Sequence, residues 1–303
     1  MASLDLESIY KIPAEHRYFN ISTKWIPYYP WVIRGFYRLG IRHEVATGLS
    51  ITSGLAAAGF IASLPESGLF LAAAAAVHLK DVFDATDGAL ARATGTGHRL
   101  GRFVDTIGDG VVFTAWTGAC ALVMAQAGTP AAIAAAWAAI TWVSLFIQCS
   151  WFNFYQLHYI ERAGASSASK LDERSEPVDE SAAFSRPTRM LSALYDAWFG
   201  WQDRAIAAWD ARERLRLGLP SDSSDPRNDG WYTHRSFMVA NSALCFGTHA
   251  FVLILALLAK NPQWFLPAVG VAMNLYLGVI AFARRRAFRR AALREVQICR
   301  KIG

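Results

Sequence analysis

Residues 80–109 read KDVFDATDGALARATGTGHRLGRFVDTIGD, and this stretch holds two pairs of closely spaced aspartates. On a helix, Asp84 and Asp87 share one face, and Asp105 and Asp109 lie one turn apart on a second helix. Only residues 93–98 separate the two helical patterns, so the helices would be antiparallel neighbours with their acidic faces together. The stretch therefore predicts four carboxylates that point into one space.

Small and basic residues continue the same two faces. Gly88, Ala91 and Arg92 follow the first aspartate pair, and Gly101 precedes the second pair by one turn. A glycine lets a ligand or a neighbouring backbone approach closely, and the forked guanidinium of an arginine can bind phosphate oxygens. The two faces therefore combine acidic groups with positions that suit a phosphate-bearing ligand.

Long apolar segments flank this stretch on both sides. The chain is 53% hydrophobic and only 18% charged, which is typical of a membrane protein. Six segments reach the ~20 helical residues that are needed to cross a hydrocarbon core. We therefore predict an all-α integral membrane protein with six transmembrane helices, over residues 44–64, 67–92, 99–127, 129–158, 236–259 and 262–284.

Basic residues predict the orientation of these spans. The short connections at 65–66, 128–129 and 260–261 hold a single lysine, whereas the arginines gather at the opposite ends of the spans and in the tail. Positively charged loops stay in the cytosol, so both termini and the acidic half-helices are expected to face the cytosol. The net charge of +6 arises from this pattern and not from a separate basic domain, which argues against nucleic acid as a partner.

The acidic cluster itself requires a cation. Four carboxylates at membrane depth repel one another and lose hydration, so bound positive charge must compensate them. Oxygen ligands without His or Cys favour Mg²⁺ or Mn²⁺ over zinc, and four carboxylates are enough to hold two ions. Phosphoryl transfer uses two such cations to bind a diphosphate and stabilise its leaving oxygen. The residues therefore predict a diphosphate substrate and two divalent cations, Mg²⁺ or Mn²⁺, as cofactors.

The spacing of these residues resembles a known signature. The pattern Asp84-x2-Asp87-Gly88-x2-Ala91-Arg92-x8-Gly101-x3-Asp105-x3-Asp109 is similar, at every fixed position, to that of the CDP-alcohol phosphotransferases. This family includes synthases of phosphatidylinositol phosphate, phosphatidylglycerol phosphate and choline or ethanolamine lipids. The resemblance implies a membrane enzyme in which a CDP-linked alcohol donor reacts with an alcohol acceptor and CMP is released. It also implies a homodimer.

The resemblance assigns roles to individual residues. It places the metal ligands at Asp84, Asp87, Asp105 and Asp109. It makes Asp109 also the catalytic general base, because an acceptor hydroxyl is a poor nucleophile until a nearby carboxylate takes its proton. The contacts to the CDP group fall on Asp87, Gly88, Ala91, Arg92 and Gly101.

A departure from the family pattern lies just before the first span. Many members have Pro-Asn-x-x-Thr there, in a stretch that helps to form the nucleotide pocket. This chain has His43 and Glu44 in place of the proline and asparagine, followed by Thr47. Only Thr47 is therefore carried over as a nucleotide contact.

Three polar regions complete the predicted organisation around the bundle of residues 44–159 and 236–284. Residues 1–43 form an N-terminal arm whose aromatic and basic residues suit the headgroup layer, or alternatively pack on the bundle. Residues 285–303 form a basic cytosolic tail that is expected to bind anionic membrane lipids. Residues 160–235 form a cytosolic loop, with a linker over 163–186 and an amphipathic surface helix that bears Leu191, Leu194, Trp198, Trp201, Ala205 and Trp209.

Several polar residues are expected outside the chemistry. Lys80 is expected to snorkel to the interface, with approach to a phosphate as the alternative, and Asp81 is expected to lie outside the metal ligands. His78 and His249 are expected to make local hydrogen bonds within the bundle. The four cysteines show no CxxC spacing, and we expect them to be structural.

The preferred function is a phospholipid synthase that transfers a phosphatidyl group from CDP-diacylglycerol to a polar alcohol or polyol. Choline and ethanolamine enzymes of the family often have Asp-His-Gly where this chain has Asp105, Thr106 and Ile107. Transfer from CDP-choline or CDP-ethanolamine to a lipid hydroxyl is therefore the second hypothesis. A divalent-cation transporter is a third, although these carboxylates lie toward one membrane face and not at mid-membrane.

The acceptor is the least determined part of this hypothesis. A phosphorylated acceptor would need a basic pocket among the later spans. The fourth to sixth spans have no Lys or Arg in their interiors, but they offer the polar residues Gln148, Asn241, Asn274 and Tyr276. This composition favours an unphosphorylated acceptor.

Overall fold

A computed structural model of the protein describes residues 9–21, 24–164 and 185–302. Every regular element within these ranges is helical, which confirms the predicted all-α class. Most of the predicted linker and the side chain of Cys299 lie outside the described residues. The α-helices are, in chain order, α1 Tyr29–Arg38, α2 His43–Ser67, α3 Phe70–Thr94, α4 Arg99–Gln126, α5 Ala131–Arg162, α6 Ser185–Tyr195, α7 Trp201–Arg216, α8 Asp229–Tyr232, α9 Arg235–Asn241, α10 Phe246–Leu258, α11 Phe265–Pro267 and α12 Met273–Ile302.

The count of six spans is not confirmed. Continuous helical segments long and apolar enough to cross a membrane are His43–Leu64, Leu100–Gln126, Ala131–Arg162 and Pro262–Arg290, the last of which includes α11 and the start of α12. The pair Arg235–Leu244 and Phe246–Leu258 is bent by 49° and qualifies only if both halves form one span. Within the described residues the structure therefore has four candidate spans, or five with the bent pair.

The span that does not qualify is the one predicted over residues 67–92. Helix α3 has the expected length, but its second half contains Lys80, Asp81, Asp84, Asp87 and Arg92. Those charges leave too short an apolar run for a membrane span by composition alone. Even so, α3 packs against α2 and α10 within the helix bundle.

Glycines fix the turns at both ends of α3. Gly68 and Gly95 have φ angles of 64° and 65°, in the left-handed region that favours glycine. The turn after Gly95 is completed by His98, whose side chain accepts a hydrogen bond from the backbone N–H of Gly101 at 2.9 Å. The α3–α4 turn is thus set locally by sequence, and it brings the two halves of the acidic motif side by side.

Helix α2 packs against both motif helices. A Cβ atom added at Gly54 would lie 2.6 Å from a methyl carbon of Val112, so α2 and α4 approach closely only because residue 54 is glycine. At the same contact the indole N–H of the buried Trp116 donates to the carbonyl of Gly54 at 2.8 Å. This packing brings the first turns of α2 next to the aspartates of α3.

A hydrogen-bonded polar group lies between α5, α10 and α12. His249 contacts the Gln148 Oε1 atom through Nε2 and the Cys245 carbonyl through Nδ1, each at 2.8 Å. Gln148 also donates to Asn274 Oδ1 at 2.8 Å. Local hydrogen bonding of His249 within the bundle is therefore as predicted.

The described part of the N-terminal arm packs on the bundle, which is one of the two locations predicted from the sequence. Trp25 stacks on Phe251 with ring centroids 4.3 Å apart and donates its indole N–H to Asp81 Oδ2 at 3.0 Å. Ile33 in α1 is fully buried, whereas Trp31 is 74% exposed. The exposed aromatic surface suits a headgroup layer, and that location of the arm stays a prediction.

The predicted loop helix is present but interrupted. A π-helical turn, Asp196–Gly200, separates α6 from α7. This turn changes the helical register, so Trp198 packs on Phe146 and Trp142 while Trp201 is 44% exposed. The single Trp-bearing face inferred from the spacing is therefore wrong, because a π turn adds a residue to the helical repeat.

One buried carboxylate fastens the loop to the bundle. Asp210 in α7 accepts hydrogen bonds from Tyr155 and Trp231 at Oδ1, each at 2.7 Å. Its Oδ2 accepts from Tyr232 at 2.6 Å and from Arg214 at 2.8 Å. We call Asp210 and these four donors the Asp210 cluster, and it joins α5, α7 and α8.

Candidate active site

Three of the four predicted metal ligands meet at the end of the α3–α4 pair. One carboxylate oxygen each from Asp84, Asp105 and Asp109 can be chosen so that all lie within 4.8 Å of one another. Asp84 comes from α3 and the other two from α4, one helical turn apart. All three side chains are half-buried. The antiparallel arrangement inferred from the sequence thus brings these carboxylates together.

Asp87 is close to this group but has a different partner. Its Oδ2 accepts a hydrogen bond from the hydroxyl of Thr47 at 2.7 Å, and the same hydroxyl lies 3.2 Å from the His43 carbonyl. Both Asp87 and Thr47 are buried. The structure therefore ties the predicted fourth ligand to α2, through the threonine that we expected to contact the nucleotide.

Lys80 is inside the site, and the prediction that it snorkels to the interface is wrong. Its side chain is fully buried, with Nζ 2.6 Å from Asp109 Oδ1 and 3.2 Å from Asp84 Oδ1. Its position one turn before Asp84 is the i, i+4 spacing of a helical ion pair, a signal that the sequence contained. A buried ammonium requires such partners, which the interface would not supply.

Asp81 lies outside the three-carboxylate group, as predicted from the register of the motif. Its partner is the indole of Trp25 in the N-terminal arm, at 3.0 Å. His78 also contacts this arm, through the hydroxyl of Tyr28. The residues that flank the motif on α3 thus hold the arm in place.

Arg92 binds the backbone of the arm. Its Nε and Nη2 atoms donate to the carbonyl of Ile9 at 3.1 and 2.8 Å. Ile9 is buried in a cluster with Ile33 and Leu90. The remaining terminal nitrogen, Nη1, lies over Gly88, where an added Cβ would be only 3.3 Å away. Gly88 therefore gives space to the guanidinium that the resemblance assigns to CDP.

A second polar group, which the sequence did not predict as a cluster, lies where α2 and α4 begin. Ligand atoms of His43, Glu44 and His98 lie within 4.8 Å of one another. However, His98 Nδ1 accepts the Gly101 N–H, so the ring carries its proton on Nε2, which lies 3.7 Å from Glu44. A metal at Nε2 would require that proton to leave, so we assign this group to capping of α4.

A cavity of about 850 Å³ opens beside the three carboxylates. Of the predicted CDP contacts, Asp87, Gly88 and Arg92 line it, whereas Thr47, Ala91 and Gly101 do not. Thr47 donates its hydrogen bond to Asp87 from the side away from the cavity. Gly101 is covered by the ring of His98, because a Cβ added at Gly101 would lie 3.1 Å from His98 Cε1. A smaller cavity of about 460 Å³, lined by His43, Glu44 and Thr96, lies on that side.

The polar residues proposed for the acceptor are not at this cavity. Gln148 and Asn274 bond each other, Tyr276 donates to the Ala240 carbonyl at 2.8 Å, and none of them lines the 850 Å³ cavity. Asn241 does not line it either. The polar and basic wall is instead supplied by α4, α5, α7 and the arm, as Asn153, Gln156, Lys11, Arg17, Lys24, Arg102 and Arg214. Basic residues thus reach the cavity from parts of the chain other than the fourth to sixth spans, to which the sequence argument about the acceptor was confined.

Comparison with known proteins gives an independent assignment of the matched region. A family model described as CDP-alcohol phosphatidyltransferase matches residues 43–182, which contain the whole acidic motif. No curated protein and no solved structure matched the chain. Members of this family transfer a phosphoalcohol or phosphatidyl group from a CDP-alcohol, and the apolar helices agree with an integral membrane protein. The resemblance seen in the motif is thus confirmed, because residues 43–182 match the CDP-alcohol phosphatidyltransferase family model.

Proposed function

We propose that the protein transfers a phosphatidyl group from CDP-diacylglycerol to the hydroxyl of a polar alcohol or polyol, with release of CMP. The observation that carries this proposal is the meeting of Asp84, Asp105 and Asp109 at the wall of an 850 Å³ cavity. A cavity of this size suits a nucleotide diphosphate and a small acceptor together. The family match supports the class of reaction, and the donor and acceptor are our inference.

The carboxylates suit two divalent cations. Asp84, Asp105 and Asp109 offer only oxygen ligands, as Mg²⁺ and Mn²⁺ prefer. Asp87, one helical turn after Asp84, would share the second ion through Oδ1 while Thr47 holds its Oδ2. The ammonium of Lys80 at Asp84 and Asp109 supports the view that this group of acids binds positive charge. When bound, the cations would neutralise the diphosphate and the oxygen that leaves with CMP.

Asp109 is assigned the proton transfer. The acceptor O–H bond breaks as its proton passes to the Asp109 carboxylate, and the acceptor oxygen forms a bond to the β-phosphorus of the donor. The bond between that phosphorus and the oxygen of CMP breaks in the same substitution. Because Lys80 is paired with Oδ1 of Asp109, we assign proton acceptance to Oδ2.

The donor is assigned to the wall formed by α3. Asp87, Gly88 and Arg92 line the cavity there, and the Nη1 atom of Arg92 lies over Gly88, where it can donate a hydrogen bond to the CDP group. Phosphate oxygens suit this guanidinium, while Thr47 keeps the Asp87 carboxylate oriented. Ala91 and Gly101 are proposed to contact the nucleotide from the side of the smaller cavity.

Location and assembly follow from the sequence arguments. We place the site and both termini on the cytosolic side, because the basic residues gather at that end of the spans. The proposed homodimer rests on the family resemblance. Light scattering of the detergent-purified protein should give twice the chain mass, and a monomer mass would refute the dimer.

The test of the proposed function is an assay of CMP release. Purified protein with Mn²⁺ is given CDP-diacylglycerol or CDP-choline, each with a panel of polar alcohols, a phosphorylated polyol and diacylglycerol. We expect CMP from CDP-diacylglycerol and a polar alcohol. CMP from CDP-choline and diacylglycerol alone would support the amino-alcohol reaction instead. Mn²⁺ uptake into proteoliposomes without CMP release from any donor would support a transporter.

A further inference from the structure

Lys80 is the feature of the site that the family motif does not assign. It lies on α3, four residues before Asp84, and its side chain has no exposed surface. Its Nζ atom is 2.6 Å from Asp109 Oδ1 on α4 and 3.2 Å from Asp84 Oδ1 on α3. The ammonium therefore bridges the two motif helices at their first and last aspartates.

The surroundings of Lys80 keep it from leaving this position. Its Cγ atom would be 3.2 Å from a Cβ added at Gly54, so the aliphatic stem lies tightly against α2. Its own backbone carbonyl accepts a hydrogen bond from Ser50 at 3.3 Å. On the other side the ammonium lies 3.5 Å from the centroid of the Phe246 ring in α10. Lys80 is thus enclosed by α2, α4 and α10, and these contacts prevent its side chain from extending to the membrane interface.

The charges explain why an enclosed ammonium is useful at this place. Carboxylates of Asp84, Asp105 and Asp109 meet here, and without compensation their repulsion would drive α3 and α4 apart. The ammonium contacts one oxygen of Asp84 and one of Asp109, which leaves the other oxygen of each free for a ligand. It therefore offsets part of the repulsion without filling the site.

We propose that Lys80 is a positioning residue that assembles the metal centre before any metal binds. In the metal-free protein its ammonium holds Asp84 and Asp109 together. In the metal-bound protein its charge stays beside the same carboxylates and weakens their attraction for divalent cations. This inference rests on the proposed metal-dependent function, and it adds that the site is stable when empty and binds metal reversibly because a lysine is built into it.

The inference makes opposite predictions for stability and for metal affinity. Lys80→Met keeps an apolar stem of similar length but removes the charge. It should lower the melting temperature in EDTA by roughly 5 °C or more, because the carboxylates then repel one another unopposed. The same substitution should bind Mn²⁺ about tenfold more tightly, since a cation 2.6 Å from a ligand atom has been removed. A residue with a packing role alone would not tighten metal binding.

The experiment measures Mn²⁺ binding by the electron paramagnetic resonance signal of free Mn²⁺, and thermal unfolding in EDTA and in Mn²⁺. Lys80→Met should lose stability mainly in EDTA and regain it in Mn²⁺. Lys80→Arg retains the charge, so it should keep the Mn²⁺ affinity of wild type, and any loss of stability from its larger side chain should be equal in EDTA and Mn²⁺. Lys260→Met is the matched control, because Lys260 is exposed in the turn after α10. Unchanged Mn²⁺ affinity of Lys80→Met, or equal losses of stability in EDTA and Mn²⁺, would overturn the inference.

A second variant covers the case in which Lys80→Met does not fold. Lys80→Met combined with Asp84→Asn removes one positive and one negative charge together, so it should fold if the role of Lys80 is electrostatic. If the double variant also fails to fold, the lysine acts by packing and the inference is wrong. Mn²⁺ binding that follows these expectations, in a wild-type protein that releases no CMP, would support the role of Lys80 while refuting the proposed function.

Discussion

Acidic side chains in two regions of the molecule differ in how their charge is compensated. In the Asp210 cluster a single carboxylate receives four hydrogen bonds, two at each oxygen. In the motif, three carboxylates converge within 4.8 Å, and the ammonium of Lys80 contacts two of them. Asp210 thus has four hydrogen-bond donors for one negative charge, whereas the three motif carboxylates have only one ammonium in contact with them.

This difference separates a structural carboxylate from a reactive one. A buried acid with all its oxygen lone pairs satisfied stabilises the fold and has no capacity left for a ligand. A group of acids whose charge is only partly compensated still attracts a cation, so it indicates a functional site. The predictions below test whether stability and activity separate between the two regions.

The largest expected effect is on catalysis at the motif. Asp109→Asn should lower the rate of CMP release about 10³-fold, because the amide cannot take the acceptor proton. The melting temperature of this variant in EDTA should stay close to that of wild type, because the substitution removes one of the carboxylates that repel one another. Asp210→Asn is the matched control, and the folded fraction of that variant should retain CMP release. An Asp109→Asn protein as active as wild type would remove Asp109 from the chemistry.

The next effect is on stability at the Asp210 cluster. Asp210→Asn should reduce the free energy of unfolding by about 3–5 kcal/mol, because Arg214 loses its buried counter-charge and an amide N–H₂ group faces other donors. Thermal or denaturant unfolding in detergent measures this loss. Added Mn²⁺ should not restore it, and restoration by Mn²⁺ would mean that the two regions are coupled.

Metal removal should act on the motif alone. A divalent cation at 100 times its dissociation constant should stabilise wild-type protein by about 2.7 kcal/mol relative to EDTA. The same shift should appear in Asp210→Asn and disappear in Asp84→Asn. Thermal unfolding with and without Mn²⁺ provides the measurement, and an undiminished shift in Asp84→Asn would place the metal elsewhere.

A smaller effect is expected at the hydrogen bond between Thr47 and Asp87. Thr47→Val keeps the shape of the side chain but loses the 2.7 Å contact, which should cost about 1 kcal/mol, or roughly fivefold in kcat/KM for the CDP donor. Thr52→Val on the same helix is the control, because the Thr52 hydroxyl is exposed and donates only to helix carbonyls. Equal effects of the two substitutions would contradict a supporting role for Thr47.

The smallest effect is the pH dependence of the Asp210 cluster. Burial by itself raises the pKa of Asp210, but the hydrogen bond from Tyr232 and the charge of Arg284 outweigh it and hold the pKa below the usual 3.8. A depressed pKa contributes stability that is present above the unfolded-state pKa and is lost as the pH falls through the folded-state pKa. Wild-type stability should therefore decline below about pH 4 more steeply than that of Asp210→Asn. Parallel declines would show that Asp210 does not contribute this slope.

The sequence predicted what depends on local spacing. The helical period placed Asp84, Asp105 and Asp109 on facing surfaces, and the glycine-rich turn between α3 and α4 explains why they meet. Contacts between residues that are far apart in the sequence could not be predicted from local spacing. Arg92 binds the carbonyl of Ile9, 83 residues away, and that contact is fixed only by the packing of the arm on α3.

Three other differences have causes that composition conceals. The inward direction of Lys80 depends on the space beside Gly54 and on the ring of Phe246, neither of which lies in the motif. The π turn at Asp196–Gly200 shifts the register of the tryptophans, because a regular repeat of 3.6 residues no longer describes the loop helix. Helix α3 does not qualify as a span by composition because of its charges, which the proposed catalytic site requires.

The central claim is that the Asp84–Asp109 region is a divalent-cation site at which a CDP-alcohol is cleaved. The most direct test strips purified protein of metal with EDTA, supplies CDP-diacylglycerol and a polar alcohol, and follows CMP while Mg²⁺ or Mn²⁺ is titrated back. The account predicts no CMP release above background in EDTA and full recovery with either cation. Undiminished CMP release in EDTA would contradict it.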